Sequence, residues 1–459
     1  MTTTQLSEQR LSFPDTAVLL EELRSYIAIP SVSRVSDPDV MQRAAAWLAG
    51  QLAFADARIE ETEGNPVVRA DWLRAPGAPT ILVYGHYDVQ PPGDELDWET
   101  PPFEMGIKGD VVTGRGVTDD KGPVFMVLKV AQAFMEQEGA LPLNVKFLLE
   151  GEEEIGSPHL AAYVREHAEE LAADLVISAD GAMWRPTEPS VSIASKGMVS
   201  LSLTVNGADS DLHSGRFGGT VANPVHTLAR LLASLHGPDG RVAVAGFYDG
   251  VHELDDQRRA ELDAIAFDEE DYRLSLGVPE LFGETGISTL HRLWERPTLE
   301  INGIESGGKY TVIPRRAVAH ISCRLVHDQR PEDVIDAITV HLRAQPHPGV
   351  TVEIEPDLGG VRAYRVEPDD PSVRSAVAAL AEVYPGQEVL LAVIAGTLPA
   401  TALFEDVLGA KTLFFSFSTA DEKLHAPNEF LRIRRIGEGM RAWEVLWRQL
   451  ARSMSGSEA

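Results

Sequence analysis

ILVYGHYDVQPPGDELDW, residues 81–98, starts as a continuous apolar run and leads into His86 and Asp88, set one residue apart. A short stretch of Ile, Leu, Val and Tyr without polar alternation reads as a strand buried on both faces. Such strands belong to α/β sheets covered by helices on each side. The His-x-Asp pair just beyond it has two readings. It is a polar surface turn, or it is an imidazole ligand to a metal ion together with the carboxylate that fixes its ring. The rest of the chain must decide.

Working outward, similar runs recur as PTILVYG (79–85), NVKFLLE (144–150), DLVISAD (174–180) and KTLFFSFS (411–418). Helical spacing marks DTAVLLEELRSYIAI (15–29), MQRAAAWLAGQLAF (41–54) and VFMVLKVAQAFMEQ (124–137). It also marks a last helix over 434–454, with Trp443, Leu446, Trp447 and Leu450 on one face. Strands of this kind separated by helices predict a central sheet in an α/β domain. The middle of the chain differs. GMVSLSLTVNG (197–207) alternates with period two, and is followed by a helix (221–236), strands at 298–303 and 315–326, a helix (330–345) and a strand (350–357). That order, βαββαβ, is a ferredoxin-like unit, interrupted by an acidic insertion at about 237–297. The pattern predicts an outer domain formed by 1–196 and 375–459, with a second domain, 197–374, inserted into it.

The chain's 459 residues suit two domains. With 44% hydrophobic and 24% charged residues it has an ordinary globular composition. A net charge of −30 argues against nucleic acid or an anionic membrane as a partner. Cys323 is the only cysteine, which excludes an intrachain disulfide and a thiolate zinc site. No basic-then-apolar leader opens the sequence, and no run of about 18 apolar residues is present to span a bilayer. A soluble cytoplasmic protein is the expectation.

The polar residues at the carboxyl ends of the outer domain's strands form a set. His86 and Asp88 follow ILVYG, Glu153 and Glu154 follow KFLLEGE, Asp180 ends LVISAD, and His425 follows FFSFS across a short loop. Asp119 lies in GRGVTDDKG (114–122), which leads into the 124–137 helix. Ligands of open α/β sheets bind outside these strand ends. Each piece has a bland reading by itself: a surface turn, a solvated acidic run, a helix cap or turn chemistry at Asp180. Together, two histidines and several carboxylates without cysteine suit one or two divalent cations such as zinc, manganese or cobalt. In the Glu153–Glu154 pair one carboxylate can bind a cation while the other stays free to accept a proton and deliver it to a leaving amine. That is the equipment of an amide hydrolase.

YGHYDVQP, GRGVTDDKGP, EGEEEIGS, ISADG and DLHSGRFGG occur in order along nearly the whole chain. They resemble the successive signatures of the M20 metallopeptidases, in the branch of carnosinase-like and cytosolic nonspecific dipeptidases. The resemblance implies a zinc-peptidase-like catalytic domain with an inserted lid that mediates dimers. It implies two metal ions, one held by His86 and Asp180 and the other by Glu154 and His425, with Asp119 bridging. Asp88 would orient His86, Glu153 would be the general base, and Asp120 would not be a ligand. A cis peptide is implied between Asp119 and Asp120. His213 in DLHSG matches a histidine that reaches across a dimer to stabilise an oxyanion. Thr311 in GKYTVIPR, Arg324 in SCRLV and Thr397 in IAGTLP match positions that bind the substrate's α-carboxylate, for which an arginine fork is well suited.

The function so implied is hydrolysis of dipeptides. An N-acyl-amino-acid deacylase of the same family is the alternative; in the family an aspartate at the Asp180 position tends to accompany aminopeptidases and dipeptidases, whereas carboxypeptidases and deacylases tend to carry glutamate. A non-catalytic binding protein on this scaffold is the reading from a different class.

Overall fold

A computed structural model describes residues 10–35, 37–308, 310–357, 360–394 and 396–454. The chain divides into two compact units, one comprising Met1–Ile193, Val366–Ile394 and Pro399–Ala459, the other Ala194–Arg365 and Ala395–Leu398. The return from the second unit falls at Arg365, ahead of the 375 read from the sequence. The boundary falls at the end of the short strand Tyr364–Arg365, and the approach from there to Asp370, the N-cap of helix Pro371–Val383, offers no periodicity to read. The four residues 395–398 also group with the second unit.

The first unit is built on a sheet whose strands lie in the order Arg58–Glu60, Val67–Trp72, Asn144–Glu150, Thr80–His86, Leu175–Ser178, Thr412–Phe414 and Ser190–Ser195. Thr80–His86 has parallel neighbours on both sides, and from Ile81 to His86 it is buried, as its unbroken apolar run requires. On one face Leu82, Tyr84, Leu148 and Val176 pack against Leu160, Val164 and Phe404 of the flanking helices. Burial of each such side chain contributes about 1.5–3 kcal/mol. On the other face runs the helix Lys121–Glu138, which ends at Gly139 in the left-handed region (φ 71°). It packs beside Ile433–Ser453, with Phe134 stacked on Trp447 at 6.0 Å.

Gly85 explains how closely that helix begins. A Cβ there would lie 2.5 Å from Val124 Cγ2 and 2.7 Å from Asp120 Oδ2. Glycine lets the helix start sit directly on the end of the Thr80–His86 strand. In KTLFFSFS only Thr412–Phe414 is strand. The remaining residues are apolar for a different reason: Phe415 packs edge-on to Phe417 and to Trp443, at 5.4 and 5.2 Å.

The second unit is a four-stranded antiparallel sheet in the order Thr298–Ser306, Arg316–Leu325, Gly197–Asn206, Thr351–Pro356. This is the ferredoxin-like order that the βαββαβ pattern predicts. Val199, Leu201, Leu203 and Val205 face a core shared with Leu228, Leu231, Ile338 and Leu342 of helices Pro224–Ala233 and Pro331–Ala344. The alternate positions Met198, Ser200 and Ser202 are half-buried. The acidic insertion contains the helices Asp256–Ala264, Glu269–Leu276 and Thr289–Glu295. Among the described residues no helix is long and apolar enough to cross a membrane.

Candidate metal centre

The candidate ligands of the first unit leave the sheet at neighbouring strand ends. His86 is the last residue of its strand, and its register partner Glu150 ends the next one, three residues before Glu153. Asp180 lies two residues beyond the strand Leu175–Ser178. Asp119 sits in the turn before helix Lys121–Glu138, and its peptide to Asp120 is cis.

These residues meet in two groups, each with ligand atoms within 4.8 Å of one another: His86, Asp119 and Asp180, and Asp119, Glu154 and His425. Asp119 belongs to both. Its Oδ1 lies 3.1 Å from His86 Nε2, and its Oδ2 lies 2.9 Å from His425 Nε2. Glu154 Oε2 is 3.2 Å from the same nitrogen of His425. Glu153 is in neither group, and its carboxylate makes no hydrogen bond among the described residues. Asp120 is also outside both groups; its Oδ2 accepts from the His86 backbone amide at 3.2 Å.

Asp88 does more than hold His86. His86 Nδ1 lies 3.0 Å from the Asp88 carbonyl oxygen and 3.3 Å from its Oδ1. The Asp88 carboxylate also accepts the backbone N–H groups of Glu153 at 3.2 Å and Glu154 at 3.1 Å. One fully buried aspartate therefore sets both the imidazole and the paired glutamates.

Electrostatics show a site crowded with negative charge. Burial pushes the Glu153 carboxyl well above its usual range; His86 opposes this, and Asp180, Asp119 and Glu154 add to it. Burial likewise raises Asp180 to about 7. His425 is pushed up to about 10 by its contacts with Asp119 and Glu154. His86 is raised as well, because its bonds to Asp119 and Asp88 outweigh the opposing effect of burial. Asp119 stays below the usual carboxylate range: burial works against it, but the two histidines prevail. Three carboxylates and two imidazoles in two groups that share one aspartate fit a pair of divalent cations with oxygen and nitrogen ligands.

The candidate residues of the second unit form two pairs. His213 and Val312 are register partners between the short strands Leu212–His213 and Val312–Ile313. Ser214 N donates to the Thr311 carbonyl at 2.9 Å, which brings Thr311 beside His213, and both side chains are exposed. His213 Nδ1 accepts from Gly215 N at 3.1 Å. Arg324 Nη1 donates to Thr397 Oγ1 at 2.6 Å. Arg324 stands opposite Thr298 and Met198 in the sheet, while its neighbour Cys323 points into the core.

Three residues of the first unit escaped the sequence reading. Gln90 donates from Nε2 to Glu154 Oε2 at 2.9 Å and from its backbone to Oε1 at 3.2 Å. Glu422 and Glu429, both fully buried, flank the His425 loop and bond to the Asp119 turn. Their positions within YGHYDVQP and STADEKLHAPNE were the available signal; an uncharged amide and two more acids in an acidic chain gave no reason to single them out.

The family model described as peptidase family M20/M25/M40 matches residues 82–449. A beta-Ala-His dipeptidase of Homo sapiens is 30% identical over 457 residues, covering 94% of this chain and 90% of that one. A Cys-Gly metallodipeptidase of Candida albicans is 30% identical over 456 residues, covering 92% of each. Among solved structures, an M20 family metallo-carboxypeptidase from Sulfolobus solfataricus superposes with a TM-score of 0.82 at 29% identity, covering 94% of this chain and 99% of that one. From its fold, its strand-end cluster and these matches, the chain belongs to peptidase family M20/M25/M40.

Proposed function

We propose that this peptidase hydrolyses dipeptides with two divalent cations, zinc in the first place and manganese or cobalt as alternatives. The observation that carries the reading is Asp119, which offers one oxygen to each of two ligand groups while Glu153 stands beside them, outside both. His86 and Asp180 would hold one ion, Glu154 and His425 the other, with Asp119 between them and Asp88 fixing His86. When bound, such a pair of cations supplies Lewis-acid polarisation of the scissile carbonyl and acidifies water. Glu153 accepts the proton of the attacking water and returns it to the departing amine nitrogen. Its raised proton affinity suits both halves of that transfer.

The dipeptide substrate is supported by the relatives named for dipeptide hydrolysis. Arg324, with Thr397 and Thr311, would bind the substrate's free α-carboxylate, because a guanidinium fork already held by a hydroxyl is preset for a planar anion. The chain would act in the cytoplasm as a homodimer paired through the second unit, His213 of each protomer serving the other's oxyanion. The exposure of His213 supports a partner outside its own loop.

A substrate panel tests the reading. Dipeptides should be cleaved, and N-acetyl and N-succinyl amino acids should not, with zinc, manganese or cobalt added in turn. Cleavage of the acyl amino acids alone makes the chain a deacylase; cleavage of neither, with no ion bound, refutes the reading.

A further inference from the structure

We infer that Glu422 and Glu429 are positioning residues that clasp the His425 loop to the Asp119 turn and so set the geometry of the Asp119–Glu154–His425 group. The inference rests on the reading that this group holds an ion. His425 and Asp119 are 306 residues apart. His425 lies in no helix or strand; it sits in the loop between strands Thr412–Phe414 and Phe430–Arg432. Its φ is 61°, and Lys423 and Asn428 in the same loop have φ of 57° and 60°. Non-glycine residues keep such conformations only when their surroundings impose them. The His425 side chain is itself 54% exposed, so packing does not hold it.

The imposing contacts come from the two acids that bracket it. Glu429 Oε2 accepts from Arg115 Nη1 at 2.7 Å and from Gly116 N at 3.0 Å. Its Oε1 accepts from Thr118 N at 3.0 Å and from Asp119 N at 3.2 Å. The Glu429 carbonyl takes Gly114 N at 3.0 Å. Glu422 Oε2 accepts the Thr118 hydroxyl at 2.5 Å and Thr419 N at 3.0 Å, and its Oε1 accepts Arg432 Nη1 at 3.0 Å. Ser418 Oγ closes the seam on the Thr118 carbonyl at 2.6 Å. Both glutamates are fully buried and belong to neither ligand group. One carboxylate thus holds the amide of Asp119, and the other holds the residue before it. The loop carrying His425 spans the two. Metal ligands are commonly oriented in this way by hydrogen-bonded groups behind them.

Glu429→Gln is the informative variant. It replaces one oxygen by an NH2 group that must face donors, so either the Arg115–Gly116 pair or the Thr118–Asp119 pair loses its acceptor. Thr118→Val is the milder companion, removing only the hydroxyl link to Glu422. Zinc titration calorimetry, cobalt absorption spectra and thermal melting of the metal-free chain are the readouts. Wild type should bind two ions. Glu429→Gln should still melt cooperatively, bind one ion as before and bind the second about tenfold or more weakly, with dipeptide turnover restored by excess zinc. Thr118→Val should weaken the second ion about threefold, and it decides alone if Glu429→Gln does not fold. Variants that fold and bind both ions with wild-type affinity overturn the assignment. Wild type that takes up no second ion overturns the reading of the cluster itself, a different result from wild type and variants all binding two.

Discussion

In the first unit His86 and Asp88 are fully buried, and Asp88, Gln90 and Glu429 each hydrogen-bond a candidate ligand or its backbone. In the second, His213 and Thr311 stand exposed at a pair of two-residue strands, and among the described residues Arg324 hydrogen-bonds only the Thr397 hydroxyl. The first is a charge-dense cluster assembled in advance, whose surplus negative charge calls for cations. The second displays donors with room for an outside group. In the proposed function the buried groups are preset for ion binding and proton transfer, whereas the exposed ones wait for substrate or a partner chain. Substitutions in the first unit should therefore change ion content or kcat, and those at Arg324 should change KM.

The sharpest way to break this contrast is Glu153→Gln. It should lower kcat about 10³- to 10⁴-fold while two ions remain bound, measured by steady-state kinetics alongside metal analysis. Turnover near wild type removes Glu153 from proton transfer.

His213→Ala should lower kcat about 10²- to 10³-fold, the usual cost of one oxyanion donor, without changing ion stoichiometry. Mixed dimers of His213→Ala and Glu153→Gln chains should regain part of the activity, because one site then receives both intact groups. Confirmed mixed dimers without recovery would confine His213 to its own chain.

Arg324→Ala should raise KM about 10- to 100-fold for dipeptides, in keeping with loss of a charged hydrogen bond. It should change little for dipeptide amides, which lack the carboxylate. Equal effects on both substrates would deny Arg324 its carboxylate.

The last effect is a graded one, smallest when taken per tenth of a pH unit. His425 in the metal-free site keeps its proton up to about 10, so an ion binding near neutral pH must displace that proton. Affinity should fall about tenfold for each pH unit lowered per proton displaced. Below about 7, where Asp180 is also protonated, the slope should steepen. Calorimetry from pH 8.5 to 6 in buffers of different ionisation enthalpy counts the protons, and pH-independent binding would mean the ions sit elsewhere.

Much of this architecture was legible because strands buried on both faces leave unbroken apolar runs, and the half-solvated strand Gly197–Asn206 leaves strict alternation. The residues gathered at the cluster were legible as chemistry at strand ends, although five separated segments supply them. The clasps at Glu422 and Glu429 were not, since their meaning lies in contacts about 300 residues away in sequence. Nor was the grouping of 395–398 with the second unit, because a stretch of four residues is too short to carry a period. The double duty of Asp88, holding both His86 and the Glu153–Glu154 turn, needed the register between two parallel strands.

The most direct test is metal stoichiometry, by equilibrium dialysis with elemental analysis, in wild type and Asp119→Ala. Two ions per chain in wild type, falling below one in Asp119→Ala, is the predicted result. One ion or none in wild type, or two retained without the Asp119 carboxylate, would contradict a paired centre built on that residue.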